Sequence, residues 1–381
     1  MRQWGEEMYT PIITGEYSVG SDTFTIVDDG RKEICGPAAG EESRRVTARI
    51  FYPVDSKAIV GAKKAILLSR AVCKGLQKEY LVKIDYDKKL AAGENEACYY
   101  ESAPAIQGKK FPLMIFSHGF KSYKESNSYL CSEIASHGYV VISIGHTYAS
   151  LGETHEDGTE TYFDKKLQKK TIKPFIRANL AMIKLSKSQG TPEEIYRKFV
   201  DIQNKYCSFM LKVQEEWVKD SQLVVGYAKK HLKNMIDFEP GIAASGHSLG
   251  GSTAYALCQN DPEFVCGINI DGGLFGDYEN KIMSRPFFQI CSVPNVGIEM
   301  KSTLNKTAPT YLAVFKDTPH TGFIDIKFFL RSTLLVGKIP GNVLHENLCK
   351  AHLDFLDKYL KKKDISIALE NNRYIDFRLY E

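Results

Sequence analysis

No apolar run in this chain approaches the ~20 residues that a membrane-spanning helix needs. Its first residues, Met1-Arg2-Gln3-Trp4-Gly5-Glu6-Glu7, hold no apolar signal core. These two absences predict a soluble, cytoplasmic protein. Cys-x-x-Cys pairs are missing too: the cysteines stand scattered at 35, 73, 98, 131, 207, 258, 266, 291 and 349. An odd, dispersed set with members in apolar runs such as Phe287-Phe288-Gln289-Ile290-Cys291 reads as buried free thiols in a reducing compartment. It argues against both a disulfide frame and a zinc site. Charge imbalance is also small. A formal net charge of +4 spread along the chain is too weak to suggest nucleic acid as a partner. Repeats and low-complexity segments are absent. What remains is ordinary for a globular protein, with 43% hydrophobic and 25% charged residues over 381 positions. That length holds one large α/β domain with insertions, or two domains.

Residues 1–45 are turn-rich, with short β-like pieces such as Phe24-Thr25-Ile26-Val27. The stretch from Arg45 to Pro53 alternates polar and apolar positions and stops at proline, as an antiparallel strand does. Residues 56–110 read as an irregular insertion with helices at about 57–70 and 75–92. Two continuous apolar runs, Phe111 to Ser117 and Tyr139 to Ile144, have the character of strands covered on both faces. A helical pattern from Ser126 to His137 joins them and is closed by Gly138. Strand–helix–strand alternation predicts a mostly parallel sheet with right-handed crossovers. From Gly145 to about Asp164 the chain is polar and loop-like. Two amphipathic stretches follow, about 165–188 and 192–235, parted by Gly190-Thr191-Pro192. The second is expected to be two helices end to end, the later one (Trp217 to Leu232) packing on the sheet. Residues 150–215 are read mainly as a helical cap or lid inserted between strands. Further strands are expected at Val265–Ile270, Phe287–Cys291 and Tyr311–Phe315, and a terminal helix at about 341–361.

The chemistry centres on Gly246-His247-Ser248-Leu249-Gly250-Gly251. An apolar run precedes it and a helical pattern from Ser252 follows, so Gly-x-Ser-x-Gly falls where a strand turns sharply into a helix. Gly246 and Gly250 fit because side chains there would crowd the turn. In an α/β-hydrolase the triad follows in the order Ser, Asp or Glu, His, each from a strand's C-terminal end. Asp271 closes the next expected strand and His320 the last one. His320 would remove the Ser248 proton, and Asp271 would orient the imidazole and stabilise its cation. The N–H of Leu249 and one near Phe120, in Ser117-His118-Gly119-Phe120, would form the oxyanion hole. His118, Gly119, His146 and Phe323 are placed at the substrate, with His118 bracing its loop and His146 either walling the pocket or serving structure. Asp277, Asp317, His345 and His352 are weaker rivals by position, and His247 is expected to pack behind the nucleophile. No cofactor or metal is required.

With these residues placed, the chain from about Arg49 to His320 resembles the plasma/intracellular type II platelet-activating factor acetylhydrolases, a lipid-esterase branch of the α/β-hydrolases. The resemblance rests on Arg49-Ile50-Phe51-Tyr52-Pro53, Pro112 to Phe120, Ala135-Ser136-His137-Gly138-Tyr139, the elbow, Gly267-Ile268-Asn269-Ile270-Asp271, and Pro319-His320-Thr321-Gly322-Phe323-Ile324-Asp325. Phe120-Lys121 departs from a glycine that often follows the His-Gly pair. The resemblance implies one α/β-hydrolase domain over 1–381 and the same triad and oxyanion amides. It also implies calcium-independent release of short or oxidised sn-2 acyl chains from phospholipids. A small-molecule or lipid ester is therefore the expected substrate, with weak membrane-surface contact through an apolar cap face. A broad esterase of the dienelactone-hydrolase or cutinase type, an amidase, and a non-catalytic binding module are the alternatives. Ser248→Ala is expected to abolish turnover, and His320→Ala nearly so, with the fold intact. Hydrolysis of simple aryl esters by the folded variants checks this, and full activity in either would refute the assignment.

Overall fold

The computed structural model describes residues 9–80, 84–274, 281–294, 296–329 and 332–381; Asp277 and the first seven residues lie outside them. The strands are β1 (Ser18–Lys32), β2 (Ser43–Val54), β3 (Lys64–Ile66), β4 (Glu96–Glu101), β5 (Phe111–Ser117), β6 (Val140–His146), β7 (Gly152–Thr154), β8 (Glu160–Tyr162), β9 (Ile236–His247), β10 (Phe264–Ile270), β11 (Phe287–Cys291), β12 (Thr310–Phe315) and β13 (Ile375–Tyr380). All but the β7–β8 hairpin join one sheet in the order β13-β12-β11-β10-β9-β5-β6-β2-β1-β4-β3. From β6 to β12 the pairing is parallel throughout. Antiparallel partners, β2 against β6 and β13 against β12, flank that block. This is an α/β-hydrolase fold. The chain runs from β5 to β6 in one direction and from β9 to β12 in the other, so the order reverses around β5 and β9. A crevice opens at the carboxyl ends of strands where such a reversal occurs.

Alternation within the central strands builds two cores. Leu113 and Ile115 face one side of β5 and Met114 and Phe116 the other, all buried. On the first side lie α6 (Ser208–His231) and α7 (Leu249–Asn260), contributing Val224, Ala228, Ala254 and Leu257. On the second lie α3 (Ser128–Ser136) and α10 (Gly341–Tyr359), contributing Leu130, Ile134, Leu348 and Phe355. Helix α3 stops at His137 because Gly138 takes a φ of 82°. Helices α4 (Lys165–Leu185) and α5 (Pro192–Tyr206) fall between β8 and α6. Thr191 and Glu194 close a capping box on α5 with Pro192 in its first turn. As expected, 192–235 is two consecutive helices, and α6 lies against β2, β6 and β9.

The expected helix at 57–70 does not form: Gly61 turns with a φ of 78° and β3 follows it. The expected helix at 75–92 is split into α1 (Arg70–Tyr80) and α2 (Tyr86–Ala91), with β4 after them. The turn-rich start contains the long strand β1, whose polar residues pair along β2. The polar stretch after Gly145 forms the β7–β8 hairpin. Its polar residues reach the interior as pairs, Glu153 on Lys124 and on the Thr47 hydroxyl. Strand β13 was not foreseen at all. All nine cysteines are free, and only Cys98 is not fully buried. Phe355 is wholly buried among Phe288, Tyr311 and Tyr359. Phe355→Ala should lower unfolding stability by about 3–5 kcal/mol, measured by urea denaturation.

Candidate active site

Ser248 lies between the end of β9 and the start of α7, with φ 57° and ψ −120°. A non-glycine residue in that region carries about 1–3 kcal/mol of strain that its surroundings must hold. They hold it by close backbone approach. A methyl group on Gly250 would collide with the Ser117 carbonyl at the end of β5, and one on Gly246 with the Gly250 backbone. The Ser248 N–H donates to the Ile270 carbonyl at 2.8 Å, which ties the turn to the end of β10. Leu249 opens α7, where first-turn N–H groups have no acceptor within the helix.

Asp271 follows β10 directly and also takes a positive φ, 54°. Its Oδ2 accepts from His320 Nδ1 at 2.7 Å, and its Oδ1 accepts from the Ser292 N–H at 2.7 Å. Burial pushes this carboxyl's pKa up. The hydrogen bond and charge of His320 and the Ser292 N–H outweigh burial, so the group is held below its ordinary value. His320 starts a short 3₁₀ turn after β12 and is half-exposed. That turn is anchored from beneath: Asn127 Nδ2 donates to the Phe323 carbonyl at 2.8 Å, and buried Asp325 accepts from the Tyr129 N–H at the start of α3.

His247 lies under the pair, its ring 4.5 Å from that of His320. Its Nε2 is 3.0 Å from the His320 carbonyl, so Nε2–H donates and Nδ1 carries the lone pair. Burial first, then the neighbouring His320 charge, keep His247 neutral. Gly119 packs against this corner. A methyl group there would stand 2.9 Å from His247 Nδ1 and 3.0 Å from Ser248 Cβ. The loop that carries Phe120 therefore runs alongside the serine.

The structure thus brings Ser248, Leu249, Gly119, Phe120, Asp271 and His320 to one sheet edge. Three residues placed at the substrate by sequence are not presented to it. His118 is fully buried, with Nδ1 donating to the Gly119 carbonyl and Nε2 facing Ser150 and the His146 N–H. Desolvation lowers its pKa to about 3. His146 is equally buried, stacked at 3.8 Å on Trp217 and bonded through Nδ1 to Asp220. Phe323 packs edge-on against Phe315 in the core. These residues hold the loops rather than line the opening. The rivals serve structure: Asp317 gives its carbonyl to Lys338, while His345 and His352 are buried in α10. Among the described residues, no cluster of three or more His, Cys, Asp or Glu could hold a metal ion.

Two supports went unseen in the sequence. Ser292, just past β11, could have been suspected because β11 neighbours β10. Asp220 could not, because it reaches His146 and Arg44 only through the packing of α6. Arg44 Nη2 lies 2.5 Å from Asp220 and Nη1 lies 2.6 Å from Glu33, both pairs buried.

The family model described as platelet-activating factor acetylhydrolase, isoform II, matches residues 4–372. The chain belongs to that family. Among curated relatives, the platelet-activating factor acetylhydrolase of Canis lupus familiaris is 28% identical over 277 residues, covering 68% of this chain and 59% of the relative. That of Bos taurus is 26% identical over 272 residues, covering 66% and 58%. The matched region thus spans less than two thirds of these relatives' lengths. Among solved structures, a ferulic acid esterase from Streptomyces cinnamoneus superposes with a TM-score of 0.62 at 16% identity, over 98% of this chain and 99% of that one. It shares the fold.

The depressed Asp271 pKa carries a sign. A carboxyl held below its unfolded value of 3.8 contributes stability fully above that pH and loses it as pH falls through the native value. The stability gap between the wild type and Asp271→Asn should therefore be largest near neutral pH and shrink as pH falls below about 4. Urea unfolding from pH 7 to pH 3 checks this.

Proposed function

We propose that this protein is a serine ester hydrolase that releases short acyl groups from lipid-like esters, with the sn-2 acetyl of phospholipids such as platelet-activating factor as the leading substrate. The observation that carries the reading is the Asp271–His320 hydrogen bond at 2.7 Å, on strand ends next to a serine in a strained turn. With Nδ1 committed to Asp271, His320 has Nε2 for the Ser248 proton. Ser248 Oγ attacks the ester carbonyl carbon while the proton passes to His320. The negative charge that develops on the carbonyl oxygen is met by the N–H groups of Leu249 and Phe120. Collapse breaks the bond to the alcohol, which leaves with the proton from His320, and an acyl-serine remains. Water, deprotonated by the same imidazole, then releases the acid.

Family membership supports the ester class, and the apolar residues packed beside the serine suit an acyl group. Leu249 packs in one cluster with Phe163, Trp217 and Phe120, and Phe120 meets Phe163 edge-on at 5.4 Å. Rates on a 2-acetyl-glycerophosphocholine, its 2-palmitoyl analogue and an aryl acetate test this together. The acetyl lipid is expected to turn over at least tenfold faster than the palmitoyl one. No turnover of either phospholipid beside rapid aryl acetate cleavage would sink the lipid reading and leave a broad esterase. Absence of labelling of Ser248 by a fluorophosphonate would sink the catalytic one.

A further inference from the structure

Helix α4 carries two apolar seams, and the protein uses one. Leu167, Ala178 and Leu185 are buried against the body. At about 100° per residue, Ile172, Ile176, Leu180 and Ile183 fall on the opposite side, with Phe175 on the flank between the two seams. Each of these five is 46–57% exposed. One exposed apolar residue needs no explanation, but an apolar stripe over three turns, broken on that face by Asn179 alone, is a surface awaiting a partner.

Charge says which partner. Lys166, Lys173, Arg177 and Lys184 share the strip that borders the stripe on one side, all exposed, and from Lys165 to Leu185 there is no Asp or Glu. Along the helix's last turn, a cleft of about 370 Å³ between α4 and α5 adds Lys198 and Lys205 beside Lys184, with Asp201 the acid among them. Two copies meeting through this stripe would set the α4 cations against each other with no acid on α4 to pair them, which disfavours self-association. An anionic lipid surface satisfies both halves: the stripe enters the acyl boundary and the basic strip meets the headgroups. The helix would lie in the interface, since among the described residues no helix is long and apolar enough to cross a membrane.

We propose that α4 is an interfacial docking helix for anionic phospholipid bilayers. Its root explains why docking would matter. Leu167, in its first turn, belongs to the same apolar cluster as Leu249, so the proposed docking helix is rooted in side chains packed next to the residue that follows Ser248. Binding stands on this surface alone and does not require the ester-hydrolase reading.

Vesicle co-sedimentation of the full chain tests it, with phosphatidylcholine vesicles against vesicles of phosphatidylcholine and phosphatidylserine. Wild type should partition to the anionic vesicles at least tenfold more strongly, and salt should weaken this. Ile176→Asp with Leu180→Asp should abolish binding, and Lys173→Gln with Arg177→Gln should reduce it about tenfold or more. Both variants replace exposed side chains, so their circular dichroism and their cleavage of a soluble aryl ester should match wild type. Equal binding to the two vesicle types, or variants that bind as wild type does, would overturn the proposal. So would sedimentation showing a wild-type dimer that the aspartate variant dissociates, because a second copy would then cover the stripe.

Discussion

The site depends on how closely three stretches of backbone approach at the end of β9. Gly250 rests on the Ser117 carbonyl and Gly246 on Gly250, leaving no room for a methyl group at either position. That contact drives the chain from strand into helix within one residue and holds Ser248 at a positive φ. Hydrogen bonds to neighbouring strands stabilise the strained turn, as with the Ser248 N–H on Ile270. A rigid sheet is what allows such strain to persist, since a loop would relax it.

The neighbouring positions are held by polar groups withdrawn from water. Arg44, Asp220, Glu33 and His146 form a buried network at the end of β6, and His118 and Trp217 pack against it. Charges this deep are tolerated because each is paired; removing one partner would leave its mate desolvated and unpaired. The network fixes the ends of β5 and β6, and Gly119 and Phe120 emerge from that corner. Asp325 fastens the other side, accepting from the Tyr129 N–H at the N-terminal end of α3 beneath the His320 turn; burial pushes its carboxyl well above the ordinary range, against the opposing pull of the Tyr129 and Ser128 N–H groups. Histidines that resemble reactive groups in sequence are thus neutral braces in the fold. His320 differs from them in exposure: it is half-exposed and hydrogen-bonded to Asp271.

Legibility followed burial pattern. Strands with both faces covered, β5, β6, β10 and β12, write continuous apolar runs and were readable. So was the elbow, because glycine spacing around a serine encodes a steric demand. Strands β1, β3, β4 and β13 were obscure, because β3 and β13 are the sheet's edges and β1 and β4 lie next to one of them, and all carry mixed polar sequence that only pairing makes regular. The helix expected at 57–70 failed for a related reason: weak periodicity cannot outweigh Gly61 and the pull of β4 on β3. His118 and His146 were legible as histidines at strand ends but not as buried ones, since exposure is a property of what packs over a residue.

By itself the sequence determined the order of the candidate site: a serine on a tight turn, an acid after the next strand and a histidine after the last, because each carries a local signal of strand end and small or turn-forming residues. Only the tertiary structure decided that Asp271 and His320 meet at 2.7 Å, that His247 braces His320 from below, and that α4 turns a second apolar face outward. Those outcomes depend on distances between residues far apart in the chain. Such distances are set by how helices and sheet pack, which no local pattern records.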